Sequence, residues 1–193
     1  MTRFLGLIAI LIAFAGNVSA TDSSGLSHSF FADMVVLRDS TSARVSSYDR
    51  SGRNADSYAV LPGQTLELAA ITGAGCIRHI YFTVLGQEHY LSDLVIRMYW
   101  DGEDHPSVEA PFGGFFGLGH GQPRFFSSLL VSVNPGTGTV GTFGFNCYFP
   151  MPFARSARLT LSNEGSEPAG VWYHIDYEKL EKIDDHVARF HAQ

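Results

Sequence analysis

The sequence predicts an all-β fold, a jelly-roll-like β-sandwich with a short C-terminal amphipathic helix. Three observations predict it. Short runs rich in β-branched and aromatic residues recur along the chain. Clusters of Gly, Pro, Asn and Asp separate them. Apolar residues at helical spacing occur only at the end.

In order, the first run is Thr65 to Ile71, in which apolar residues alternate with others. Cys76 to Val84 and Leu94 to Trp100 follow, both dense in Ile, Val, Tyr and Phe or Trp. Later runs are Phe126 to Val133, Phe143 to Phe149, Ala157 to Leu161 and Val171 to Tyr177. The turns between them are Leu61-Pro62-Gly63, Gly73-Ala74-Gly75, Asp101-Gly102, Asn134-Pro135-Gly136 and Asn163-Glu164-Gly165. Leu180, Ile183, Val187 and Phe190 then fall three to four apart, so the spacing predicts a helix over 178–191. The chain reads as a signal segment over 1–20, one sandwich domain over 21–177 and a helical tail over 178–193.

Composition narrows the function classes. The 193 residues are 45% apolar and 13% aromatic, which supports a packed core and excludes a disordered chain. Thirteen Lys and Arg stand against 19 Asp and Glu, a formal net charge of −6, so the basic footprint of a nucleic-acid binder is missing. Two Cys are too few for a disulfide scaffold. Arg3 followed by the apolar run Phe4 to Ala15, then Val18-Ser19-Ala20, has the plan of an export signal cleaved after Ala20. That apolar run is too short to span a bilayer. The mature chain is expected to be secreted or periplasmic, with no membrane attachment after cleavage. Export would permit a Cys76–Cys147 bridge. Both Cys also sit in apolar runs, where a buried thiol behaves as a small hydrophobe, so the sequence leaves the pairing open.

Several motifs of known chemistry fail. Gly136 to Gly141 fits G-x-G-x-x-G, but a strand-like run follows where a dinucleotide site needs a helix. The eight His show no metal-ligand spacing, and His79 and His174 read as hydrogen-bonded sheet residues. The sequence calls for no cofactor and no metal.

Two polar clusters remain. Ser46 to Asp56 brings Tyr48, Asp49, Arg50, Asn54 and Asp56 into one loop. Such a set can grip sugar hydroxyls: carboxylates accept, the guanidinium donates in a fixed fork, and Tyr offers a stacking face. The same residues also suit a solvated loop of local Asx turns. The second cluster is Asp101, Glu103, Asp104 and Glu109. Paired carboxylates serve glycoside hydrolysis, and several oxygens together can hold calcium. Asp-Gly is also a strong hairpin signal, and acidic residues at a hairpin tip are commonly just solvated. After it, Pro111 to Gly121 is a Gly/Phe-rich loop, whose rings either face a ligand or pack beneath as core.

The order of these segments resembles the family of domain of unknown function 2961, also known as glycoside hydrolase family 172. The stretches that carry the likeness are Ser46-Ser47-Tyr48-Asp49-Arg50, Asn54-Ala55-Asp56, Gly75-Cys76-Ile77-Arg78-His79-Ile80 and Tyr99-Trp100-Asp101-Gly102-Glu103. They continue with Phe115 to Gly121, Asn146 to Phe153, Tyr173-His174-Ile175-Asp176-Tyr177 and Phe190-His191-Ala192-Gln193. The resemblance implies two jelly rolls in one chain, homo-oligomers, and exo-acting hydrolysis of fructofuranose- or arabinofuranose-type glycosides. It also implies two catalytic glutamates, in motifs of the form Trp-Gly-Glu-Gly-Asp and Gly-Thr-Glu-Asp-Tyr-Phe. Neither motif occurs here. Trp100 is followed by Asp101, Trp172 by Tyr173, and no Gly-Thr-Glu is present. No catalytic residue is assigned.

The chain is therefore expected to be the N-terminal half of a secreted furanosidase, inactive alone. Tyr48, Asp49, Arg50, Asn54 and Asp56 would lie on its substrate or subunit-interface side. Its expected partners are carbohydrate and either further copies of itself or a separately encoded second half. The alternative expectation is a non-catalytic jelly roll that binds carbohydrate or serves in assembly.

Overall fold

The structure is a computed structural model, and it describes residues 37–86, 88–136 and 143–193. The chain divides into Met1–Arg38 and a compact unit, Asp39–Gln193. The export signal and most of the G-x-G-x-x-G stretch lie outside the described residues.

The compact unit is built from two antiparallel sheets. Its strands are β1 (Thr41–Ser46), β2 (Tyr58–Val60), β3 (Thr65–Thr72), β4 (Gly75–Leu85), β5 (Leu94–Trp100) and β6 (Val108–Pro111). They continue with β7 (Phe126–Ser127), β8 (Val131–Asn134), β9 (Gly144–Cys147), β10 (Met151–Phe153), β11 (Ser156–Asn163) and β12 (Ala169–Lys179). Two single helical turns, α1 (Tyr90–Asp93) and α2 (Phe112–Phe115), interrupt them. The larger sheet runs β1-β12-β4-β9-β8-β7, with β2 paired to β12 and β10 to β4. The smaller runs β3-β11-β5-β6.

Alternation decides which face is inside. In β4, Ile80, Phe82 and Val84 are fully buried, while His79, Tyr81 and Thr83 are half-buried on the other face. In β12, Val171, Tyr173 and Ile175 point in and Trp172, His174 and Asp176 point out. Phe112 and Phe116 are buried, as the core reading of the Gly/Phe loop expects. With Phe82 and Phe145 they form an edge-to-face cluster, in which Phe82 and Phe112 meet at 5.3 Å and 87°. Burying each such ring contributes about 2–3 kcal/mol.

Asp101-Gly102 makes the tight turn its sequence signals. Both residues have positive φ, 57° and 85°, and Glu103 N–H closes the turn on Trp100 O at 3.0 Å. Cys76 and Cys147 are buried thiols and form no disulfide with each other. Cys147 pairs opposite Ile80, four residues along β4 from Cys76.

The C-terminal segment corrects one expectation. No helix forms over 178–191. β12 runs on through Lys179, and the chain then crosses the end of the small sheet as an irregular strap. Ala192 forms a parallel bridge with Val108, and Glu109 N–H donates to Ala192 O at 2.9 Å. The indole N–H of buried Trp100 donates to Phe190 O at 2.7 Å. A helix this short gains little by itself, and these tertiary bonds satisfy groups that a helix would leave orphaned.

Candidate functional site

β1 is the edge of the large sheet and β3 the edge of the small one. Between them opens a cleft of about 550 Å³. Its floor is Tyr173, whose hydroxyl crosses the sandwich to donate to Leu68 O at 2.9 Å. Burial pushes the Tyr173 phenol up to about 12. Ser47 is buried and locks the end of β1 to the same residue: its Oγ accepts the Tyr173 N–H at 3.0 Å.

The loop after Ser47 carries the five residues singled out by sequence. Asp49 spends its carboxylate on the loop itself. Oδ1 accepts from Ser51 N–H at 2.8 Å and from Ser51 Oγ at 2.6 Å. Oδ2 accepts from the N–H groups of Arg53 at 3.1 Å and Ala55 at 3.3 Å. The Ser51 hydroxyl and N–H hold this carboxyl below its ordinary range. Asp56 Oδ1 accepts the Asp49 N–H at 2.6 Å and closes the loop. Asn54 takes φ 65°, a left-handed conformation that Asn tolerates. Asp49 and Asp56 thus shape the loop through Asx-type bonds, and Asn54 through its left-handed backbone. Tyr48 and Arg50 are left exposed, with the guanidinium 5.9 Å from the Tyr48 ring centre.

Tyr48, Asp49 and Arg50 line the cleft. Asn54 and Asp56 stand in the loop beside it. Sequence reading missed two further lining residues, Glu67 and Tyr58. Glu67 adds an exposed carboxylate, and Tyr58 adds a ring 6.4 Å from Tyr173. The cleft therefore offers two exposed phenol rings, a guanidinium and a carboxylate over an apolar wall of Leu68, Ala69 and Ala70. Such a set can stack on a sugar face and bond its hydroxyls.

The acidic run is not gathered into a catalytic pair. Asp101 Oδ1 accepts the N–H groups of Ala154, Arg155 and Ser156 at 2.8, 2.6 and 3.3 Å. Glu103 accepts from Ser107 Oγ at 2.6 Å, and Glu109 accepts from Arg97 at 2.7 Å.

A third cluster lies on the outer face of the large sheet. Antiparallel pairing sets Asp176 opposite His79 and His174 opposite Tyr81. His79 Nδ1 lies 3.5 Å, and His174 Nε2 3.8 Å, from the same Asp176 oxygen. Arg44 grips that carboxylate from β1, through Nε at 2.5 Å and a terminal nitrogen at 2.9 Å. These bonds hold Asp176 below its ordinary range, and burial lowers His174. Among the described residues, His79, His174 and Asp176 are the group able to hold a metal ion. Linear spacing hides it, because the two His are on different strands and only register joins them.

No curated protein matches the chain. A model of the GH172 domain-like family matches residues 51–171, from the loop beside the cleft into β12. That match covers more than half of the sequence, and the chain belongs to the GH172 domain-like family.

Proposed function

We propose that the chain forms the sugar-facing part of a secreted glycoside hydrolase acting on fructofuranose- or arabinofuranose-type glycosides. The sugar lies in the cleft between β1 and β3. The observation that carries this reading is the placing of Tyr48 and Arg50, both exposed, on the wall of that cleft. The family supports a glycosidase relationship. The apolar run after Arg3 supports export.

The chain alone does not hydrolyse its ligand. Two-carboxylate catalysis needs an acid and an ionised partner flanking one bond. The two glutamate motifs are absent from the 193 residues, and Asp101, Glu103 and Glu109 are each bound elsewhere. The carboxylates come from a second domain, in the same or a neighbouring polypeptide, that docks beside the cleft.

The test is titration of the purified chain with fructofuranosides and arabinofuranosides, alongside an assay for released sugar. Saturable binding that Tyr48→Ala and Arg50→Ala each weaken at least tenfold, with no release, is the expected result. Release of fructose or arabinose by the chain alone would overturn its inactivity. Binding unaffected by both substitutions would move the sugar elsewhere. Stable oligomers with no sugar binding would favour the assembly role.

A further inference from the structure

We propose that His79, His174 and Asp176 bind a divalent transition metal, with zinc the best match. This site lies on the outer face of the large sheet and does not depend on the sugar reading of the cleft.

The donor atoms of the three residues all lie within 4.8 Å of one another. Ligands of one tetrahedral zinc, each about 2.0–2.1 Å from it, stand about 3.3 Å apart. The two imidazole-to-carboxylate separations, 3.5 and 3.8 Å, are already close to that value. The two imidazole donors also lie within 4.8 Å of each other.

The hydrogen bonds around His79 fix which nitrogen faces the site. Asn146 Nδ2 donates to Gly144 O at 3.5 Å, so the amide oxygen turns toward His79. His79 Nε2 lies 3.1 Å from that oxygen and must donate to it. In the neutral ring, Nδ1 then carries its lone pair, 3.5 Å from a carboxylate oxygen. Two electron-pair donors then stand 3.5 Å apart, a spacing that one metal ion bound to both would give. An outer amide or carboxylate that accepts from the far nitrogen is the usual companion of a metal-bound His.

The surroundings hold the rings in place. Tyr148 stacks on His79 at 4.4 Å and 3°, and Tyr81 on His174 at 4.9 Å and 17°. Arg44 occupies Asp176 Oδ1 and one side of Oδ2, which leaves Oδ2 a lone pair for the metal. Two imidazoles and one carboxylate suit zinc, whereas calcium and magnesium prefer all-oxygen shells. Three protein ligands leave a fourth position for water. His79, His174 and Asp176 are 20%, 25% and 29% exposed, so solvent reaches it.

The test is calorimetric titration of the chelator-stripped chain with Zn²⁺, together with the visible spectrum of the Co²⁺-loaded protein. One equivalent bound, with d–d bands of tetrahedral intensity and a raised melting temperature, is the expected result. The double variant His79→Gln/His174→Gln should lose that equivalent. Asn146→Ala, which leaves all three ligands in place, should weaken binding about 10–100-fold. Failure to bind at millimolar Zn²⁺ would overturn the proposal. So would binding unchanged in a folded double variant, which would send the metal to other histidines.

Discussion

Arg189 Nε donates to Asp101 Oδ2 at 2.7 Å, joining residues 88 apart in sequence. The other oxygen of Asp101 accepts three successive N–H groups at the start of β11, while its own backbone makes the 101–102 turn. One carboxylate therefore ties the β5–β6 hairpin to β11 and to the C-terminal strap. Burial alone would raise the Asp101 carboxyl, but the Arg155 and Ser156 N–H groups and Arg189 outweigh it and hold it below the ordinary value. Asp101→Ala should cost about 3 kcal/mol, since several bonds to a charged acceptor are lost together. Asp101→Asn keeps an accepting oxygen and a tolerance for positive φ, and should cost less. A depressed folded pKa stabilises above the unfolded value of about 3.9, and that part is lost as pH falls through the folded value. Urea midpoints followed from pH 6 downward should show the wild type's advantage over Asp101→Asn shrinking below about pH 4. An advantage constant through that range would remove the electrostatic account.

The strap itself can be tested at Phe190. Its ring packs 5.3 Å from Phe149, and its carbonyl takes the Trp100 indole N–H. Phe190→Ala should cost about 2 kcal/mol, less than a fully buried Phe because Phe190 is only half-buried. Loosening the strap also lets water reach the Trp100 indole. Its fluorescence should shift to the red in the folded variant, and an unchanged spectrum would mean the strap stays docked without the ring.

Strands buried on one face and long enough to alternate were legible in the sequence. Leu94–Trp100 is β5 with the bounds read from the residues, and β4 and β12 extend their runs by one or two residues at each end. β1 was not legible, because Thr-Ser-Ala-Arg-Val-Ser has little apolar pattern and is a strand only by pairing with β12. The C-terminal spacing of Leu180, Ile183, Val187 and Phe190 was a true helical pattern that tertiary hydrogen bonds overrode. At the candidate cleft, sequence found the loop, because its chemistry is local. It could not separate Asp49, spent on the turn, from Arg50, left exposed. Glu67, Tyr58 and the His79–His174 pair depend on which strands become neighbours, and no linear spacing encodes that.

Tyr90 offers a test of a buried polar group. It is 6% exposed, its hydroxyl has no hydrogen-bond partner among the described residues, and burial pushes its phenol up to about 12. A buried hydroxyl that loses water without gaining a partner costs about 1–3 kcal/mol, so removing it should not destabilise. Tyr90→Phe should leave the unfolding midpoint unchanged or raise it by the equivalent of about 1 kcal/mol. A clear fall in the midpoint would show that the hydroxyl is bonded in solution, for example to a trapped water.

Glycine positions separate backbone contact from open space. A Cβ on Gly75 would lie 2.6 Å from the backbone oxygen of Glu178 and 2.6 Å from the Phe153 ring. Neither can turn away, since the oxygen belongs to β12 and the ring is fully buried. Gly75→Ala should therefore cost about 2 kcal/mol by forcing β4 and β12 apart. Gly119 has nothing among the described residues within 4 Å of the same position and no positive φ. Gly119→Ala should be neutral or stabilise by about 0.4–1 kcal/mol, because it restricts only the unfolded chain. Melting both variants beside the wild type checks the pair. Equal losses at the two sites would mean that chain entropy, and not the β4–β12 contact, sets the cost at Gly75.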